Sequence, residues 1–425
     1  MYVRGYSLIS RAAVAIKNWI MAATAIVMVT VALFVVANLI CLGLFSAFPN
    51  VWQSQTEKLT ADFNVQFMTR VGGHAMEWLA IDDQATLQEF FVENTEHARI
   101  GNVYEVFTEF KTTPWKGKFF NFKPAGYREA RGEAPWPPSP QYFNVFFFGG
   151  STTMGIGPDW ATISSYFQDR LDGKLIGGKP VKVYNFGRGS YYSTQERILF
   201  QQLLLDRRIP DLAIFIDGLN DFYFLDGKTS ASHIYEQIFE NTEIVAASNN
   251  LTRRLANMVV NRTRSLPIVR AAEIISSKLS PDRQVKLPIY RPETVDRQVL
   301  EKVIDRYLEN KRQIEGVAKA YGFKTLFVWQ PVPGYKYDLR YHMSLNPVYG
   351  LGGHERSSQG YPLMAKRLKS ESLGDDFLWL ADIQESRREP LYMDAVHYTA
   401  SFSKTIGAMI ADHIVEGEAS QLPVL

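Results

Sequence analysis

Phe143-Asn-Val-Phe-Phe-Phe-Gly-Gly-Ser-Thr-Thr-Met-Gly155 is the stretch on which the fold turns. Val145 to Phe148 are apolar without alternation, the pattern of a strand covered on both faces. Gly149 and Gly150 then allow a sharp turn and leave room beside Ser151. A helix is expected from about Trp160 to Leu171. A hydroxyl at the carboxyl end of a strand and ahead of a helix sits where open α/β sheets place their ligands. Ser151 is therefore the first candidate nucleophile. Taken alone, Gly-Gly-Ser is most often an ordinary turn, and Gly149–Gly157 could equally cradle a phosphate. No Gly-Lys-Ser/Thr follows, which disfavours a nucleotide loop.

Three later segments change the weight of that reading. Tyr184-Asn-Phe-Gly-Arg-Gly-Ser190 follows a short strand at Val181–Tyr184, and Gly218-Leu-Asn-Asp221 follows an apolar strand at Leu212–Ile216. Asp394-Ala-Val-His397 lies near the C-terminus. Serine becomes a useful nucleophile when a neutral histidine accepts its proton and a carboxylate orients that histidine. Among seven histidines, His397 is the best base, because Asp394 lies three residues before it and one tight turn brings the two together. The bland alternatives are a solvated Asp-Ala-Val-His turn and an Asp221 that merely caps a helix.

In their order, the four blocks resemble those of the SGNH (GDSL-type) hydrolase family, over roughly 143–221 and 293–414. The resemblance implies a Ser151, His397 and Asp394 triad. It implies an oxyanion hole made by the Ser151 N–H, the N–H of Gly189 or Ser190, and the Asn220 side-chain amide. Gly-Gly-Ser replaces the family's Gly-Asp-Ser here. The implied fold is a flavodoxin-like three-layer α/β/α sandwich with a mostly parallel five-stranded sheet. The implied reaction is acyl-ester cleavage without a cofactor. An acetyl or other acyl ester on envelope polysaccharide or lipid is the expected substrate class. An O-acyltransferase with the same triad, or a dormant scaffold of a polysaccharide machine, are the competing readings.

Strands alternating with helices continue the α/β rhythm: a helix at 194–206, another at 293–320, strands at Lys324–Trp329 and Phe377–Ala381, and a closing helix at Thr399–Ile414. Residues 232–287 lack strand signals and read as an inserted helical subdomain. Asp82–Glu93 has helical spacing. Trp115, Phe119, Phe120, Phe122, Tyr127 and Trp136 form an aromatic-rich segment, read as packing in preference to a sugar-binding face, and the proline-rich Pro135–Pro140 reads as an extended connector.

No charged residue occurs between Lys17 and Glu57, and Ile20–Phe45 is almost wholly apolar. About 20 such residues cross a bilayer, and a signal peptide's apolar region is shorter. Arg4, Arg11 and Lys17 ahead of it place the N-terminus in the cytoplasm and the remainder outside, as in a bacterial inner-membrane protein. The expected organisation is an anchor over 1–48, an extracytoplasmic region over 49–140 and a main domain over 141–425.

The 425 residues are 46% hydrophobic with a net charge of +2. No basic block points to nucleic acid. The single cysteine, Cys41, excludes an intrachain disulfide and a cysteine-based zinc site. His342 and His354 have no companions at ligand spacing, so no metal site is expected.

Overall fold

The computed structural model describes residues 2–47, 73–229, 294–345 and 350–419, with a few isolated positions between 232 and 275. The expected helical insertion at 232–287 falls almost wholly outside the described residues. Two compact units are present: Met1–Gln66 with Glu236–Lys286, and Phe67–Tyr235 with Leu287–Leu425.

In the first unit, one helix runs over Tyr2–Ala47. Its Ile16–Ala47 portion is long and apolar enough to cross a membrane, and its described large apolar side chains are mostly exposed. Apolarity on all sides of a helix whose described side chains are mostly exposed suits lipid, not a protein core.

In the second unit, five strands form a parallel sheet: β1 (Phe143–Gly149), β2 (Lys179–Asn185), β3 (Leu212–Asp217), β4 (Lys324–Trp329) and β5 (Phe377–Trp379). Their order is β2-β1-β3-β4-β5, with every pair parallel. This is the flavodoxin-like order, and its switch point lies between β1 and β3. Three short antiparallel strands, Trp115–Lys116, Asn121–Phe122 and Arg128–Glu129, extend the sheet beyond β2. The segment ahead of β1 is thus built into the sheet.

Both faces of the sheet are covered. Val145 and Phe147 of β1 pack with Ile163, Phe167, Ile406 and Ile410 on one side. Phe146 and Phe148 pack with Leu199, Phe200 and Ile314 on the other. The covering helices are Ile163–Arg170 and Ala400–Ala419 on the first face, and Ser193–Leu205 and Arg297–Tyr321 on the second. That two-sided burial is why the apolar run in β1 does not alternate.

The helix expected from Trp160 starts instead as a 3-10 turn at Asp159–Ala161, and Thr162 caps the helix proper by accepting from the Ser165 N–H. The helical spacing at Asp82–Glu93 becomes a helix over Gln84–Ile100, capped by Asp83. The helix Glu355–Ser370 is not anticipated, because Gly360 and Pro362 interrupt its pattern. Phe119, Phe120, Phe122 and Tyr127 are buried, which supports packing for the aromatic segment.

Candidate active site

β1 delivers Ser151 to the switch point. Gly149 has φ +156°, and a Cβ there would lie 2.1 Å from Thr153 Oγ1 and 3.0 Å from the Ile216 carbonyl. A side chain is excluded both by the backbone and by the space. Gly150 precedes the single-turn helix Ser151–Met154, and a Cβ on it would lie 2.3 Å from Asn220 Nδ2. Glycine at 150 therefore leaves room for the Asn220 amide beside the residue that precedes Ser151.

His397 Nε2 lies 2.8 Å from Ser151 Oγ, and His397 Nδ1 lies 2.7 Å from Asp394 Oδ2. The other carboxylate oxygen, Oδ1, accepts the backbone N–H groups of Val396 (2.9 Å) and His397 (2.8 Å). The tight turn inferred from the three-residue spacing is thus built on the carboxylate itself. The loop is closed by Met393, whose N–H donates to the His397 carbonyl at 2.8 Å. Side chains of His397 and Asp394 are 19% and 27% exposed.

Burial alone would push the Asp394 carboxyl up. The adjacent imidazolium charge and the hydrogen bonds from His397 and Val396 overcome it and hold Asp394 well below the usual carboxylate range. For His397, burial disfavours the cation, but the Asp394 charge and hydrogen bond outweigh it and raise the imidazole above its ordinary value. Asp394 therefore stays ionised while His397 takes a proton readily.

The remaining blocks converge on the same point. Asn220 lies in the first turn of the short helix Leu219–Tyr223, just beyond the end of β3. One amide hydrogen is held by the Tyr191 carbonyl at 2.7 Å, which fixes the rotamer and leaves the second hydrogen available. Arg188 N–H donates to the Gly149 carbonyl at 2.9 Å and ties the second block to the first. Ser190 has φ +61° in the turn that Tyr191 N–H closes on the Arg188 carbonyl. Among the described residues no backbone carbonyl takes up the N–H of Gly189 or of Ser190. Asp221 binds the Ser193 hydroxyl at 2.6 Å and faces the Gly218 N–H at 3.4 Å, so it also serves the capping role that its position allowed.

His342 and His354 stand apart from this chemistry. His342 is buried and stacked on Tyr392 at 5.5 Å, and His354 is stacked on Tyr223 at 4.7 Å. Burial lowers both imidazoles below their ordinary value, His354 to about 4. Among the described residues no cluster of ligating side chains fits a metal ion.

One supporting residue has no sequence signal. Arg128, fully buried, pairs with Asp159 at 2.7 Å and donates to the carbonyls of Met154 (3.0 Å), Gly155 (2.7 Å) and Gly157 (2.6 Å). It clamps the loop that follows Ser151. Arg128→Met takes the cation from Asp159, which keeps only its bonds from Asn121, and the donors from these carbonyls, and about 3 kcal/mol of stability is expected to be lost. Denaturant unfolding of the detergent-purified chain measures this. Arg128→Met with Asp159→Leu should recover part of the loss, because the carboxylate without a countercharge is then gone.

The structure was compared with known proteins. No family model matches the sequence, and no curated protein does. Solved structures similar to it include a protein from Desulfitobacterium hafniense DCB-2 assigned to the lipolytic G-D-S-L family. It is 11% identical, with 64% of this chain and 99% of that chain covered and a TM-score of 0.32. The acetyl xylan esterase AlAXEase is 14% identical, with 64% and 98% covered and a TM-score of 0.32. Axe2, an acetylxylan esterase from Geobacillus stearothermophilus, was compared as a catalytic mutant and is 12% identical, with 64% and 93% covered and a TM-score of 0.33.

Proposed function

We propose that this chain is a membrane-anchored serine esterase of SGNH type that cleaves acyl esters through Ser151, His397 and Asp394. The observation that carries the reading is the continuous relay Ser151 Oγ–His397 Nε2 at 2.8 Å and His397 Nδ1–Asp394 Oδ2 at 2.7 Å. Both contacts are at hydrogen-bond length before any substrate arrives. A scaffold with no chemistry gains nothing from holding three residues of 151, 394 and 397 in that alignment.

Ser151 Oγ bonds to the acyl carbon as its proton passes to His397 Nε2. The carbonyl oxygen becomes an oxyanion and is met by the Ser151 N–H, the N–H of Gly189 or Ser190, and the free hydrogen of Asn220. Collapse breaks the bond to the alcohol oxygen, and the alcohol leaves with the proton from His397. Water then repeats the sequence, releasing the acid and restoring serine. Each such oxyanion donor contributes about 2.7–4 kcal/mol to lowering the barrier.

The helix Tyr2–Ala47 supports a membrane anchor, and the basic Arg4, Arg11 and Lys17 support a cytoplasmic N-terminus with the catalytic unit on the outer face. The substrates within reach there are acyl esters of envelope polysaccharide or lipid. The test is release of p-nitrophenol from its acetate ester by the full chain in detergent, beside Ser151→Ala. Serine-dependent release into water is the expected result, and release that is the same in both proteins overturns the reading. Adding oligosaccharide acceptors separates hydrolysis from transfer: acetylated sugar formed in place of acetate assigns the chain to O-acyltransferases.

A further inference from the structure

A small cavity lies directly beside Ser151 and His397. It leaves ≈ 10 Å³ of space for a water-sized sphere, room for about one water molecule. That is close to the size of a methyl group and far short of a sugar ring. The wall is part carbon, chiefly from Trp78, Ile156 and Met393, and part polar, with Thr152, Tyr398 and Ser403 beside the reacting pair. Two of its hydroxyls are already engaged. Thr152 Oγ1 donates to Gln330 Oε1 at 2.7 Å, and the Tyr398 hydroxyl lies 2.9 Å from the same oxygen and 2.7 Å from the Pro331 carbonyl. By its size the cavity therefore suits the short end of an acyl group and is too small for a sugar or other bulky alcohol half of the ester.

Trp78 is the wall that does not belong to the α/β/α sandwich. It comes from the short helix Ala75–Leu79, ahead of the sheet, and is 3% exposed. Its indole is held on several sides. His74 stacks on it at 5.4 Å and 13°. Leu79, Phe90, Phe119 and Met393 share its apolar cluster. Trp160 Nε1 donates to the Ala80 carbonyl at 2.9 Å and fixes the end of the helix. Across the cavity, Arg128 clamps the loop that carries Ile156. Neither wall yields by a rotamer change alone, because interiors packed this way resist even one added methylene.

We infer that the cavity is the acyl pocket and that Trp78 closes it at two carbons, making the chain selective for acetyl esters. The inference rests on the serine acyl-transfer reading and gives the segment ahead of the sheet a role in specificity. The methyl of the acetyl group fills the cavity while its carbonyl carbon meets Ser151 Oγ. A butyryl chain meets the indole.

Two measurements on the full chain in detergent test it. The first is kcat/KM for p-nitrophenyl acetate, butyrate and hexanoate. Wild type should prefer acetate over butyrate by at least about 10-fold, the discrimination one or two methylenes bring in an apolar pocket. Trp78→Leu should abolish that preference. Trp78→Phe, which keeps a ring in the cluster, should reduce it and stands in if the leucine variant does not fold. Leu79→Ala, a change in the same cluster but off the cavity wall, should leave the ratio as in wild type. Equal use of acetate and butyrate by wild type overturns the inference, as does an unchanged ratio in Trp78→Leu or Trp78→Phe. The second measurement is the rate at which methyl- and butyl-phosphonofluoridates label Ser151, which needs no turnover. Faster methyl labelling in wild type, lost in the Trp78 variant, supports the pocket. Equal labelling overturns the pocket and leaves the serine reading standing. No labelling of Ser151 by either reagent overturns both.

Discussion

His397→Ala is expected to lower kcat for ester hydrolysis about 10⁶-fold, as removal of the base does in a serine relay. Among the described residues, no other basic side chain is hydrogen-bonded to Ser151 Oγ. The hydroxyl's partner is His397 Nε2 at 2.8 Å, and the other described histidines near the loop are engaged in stacking on Tyr392 and Tyr223. The wild-type pH profile follows from the same geometry. The base must be neutral to work, and Asp394 raises the His397 pKa above its ordinary 6.5 against the opposing effect of burial. As pH falls through that raised value, the imidazole becomes charged and kcat/KM falls with it. An acid limb centred above 6.5 is therefore expected in kcat/KM against pH. A limb centred well below 6.5 contradicts the assignment of the base or of its partner.

Asp394→Asn is expected to cost about 10⁴-fold in kcat, with the fold intact. The direction of the defect can be derived from the loop. Asp394 Oδ1 already accepts two backbone N–H groups, from Val396 and His397. In the variant those donors hold the amide oxygen, and the NH₂ group is left facing His397 Nδ1. It donates to Nδ1, so the ring proton moves to Nε2, where it blocks acceptance of the serine proton. With the carboxylate gone, burial alone acts on the imidazole, so the residual activity should show an acid limb at lower pH than wild type. A loss without that displacement indicates a disturbed loop, not a reversed tautomer.

The site was legible because its chemistry sits at strand ends whose burial is strongly patterned. Val145–Phe148 and Leu212–Ile216 are buried on both faces, so unbroken apolar runs marked β1 and β3, and the glycines, Asn220 and His397 lay just beyond strand or turn signals. β4 matches its expected bounds, Lys324–Trp329, for the same reason. The elements that were not legible are those whose order comes from the tertiary structure. The strands at Trp115–Lys116, Asn121–Phe122 and Arg128–Glu129 have two residues each, too few for any periodicity, and exist because β2 offers an edge. Arg128 looks like any exposed arginine until Asp159 and the carbonyls after Ser151 surround it. Trp78 reads as one more aromatic, and only the three-dimensional path of its short helix brings it to the cavity beside Ser151. Gly150 carries a subtler lesson. Its lack of a side chain looked like freedom to turn, yet its main effect is to admit the Asn220 amide.

Whether Ser151 is an activated nucleophile is read by treating the full chain in detergent with a fluorophosphonate at pH 8 and locating the adduct by peptide mass. The prediction is a single adduct on Ser151, formed rapidly in wild type, absent in Ser151→Ala and strongly slowed in His397→Ala. A protein that is unlabelled, or labelled equally well without His397, would contradict it.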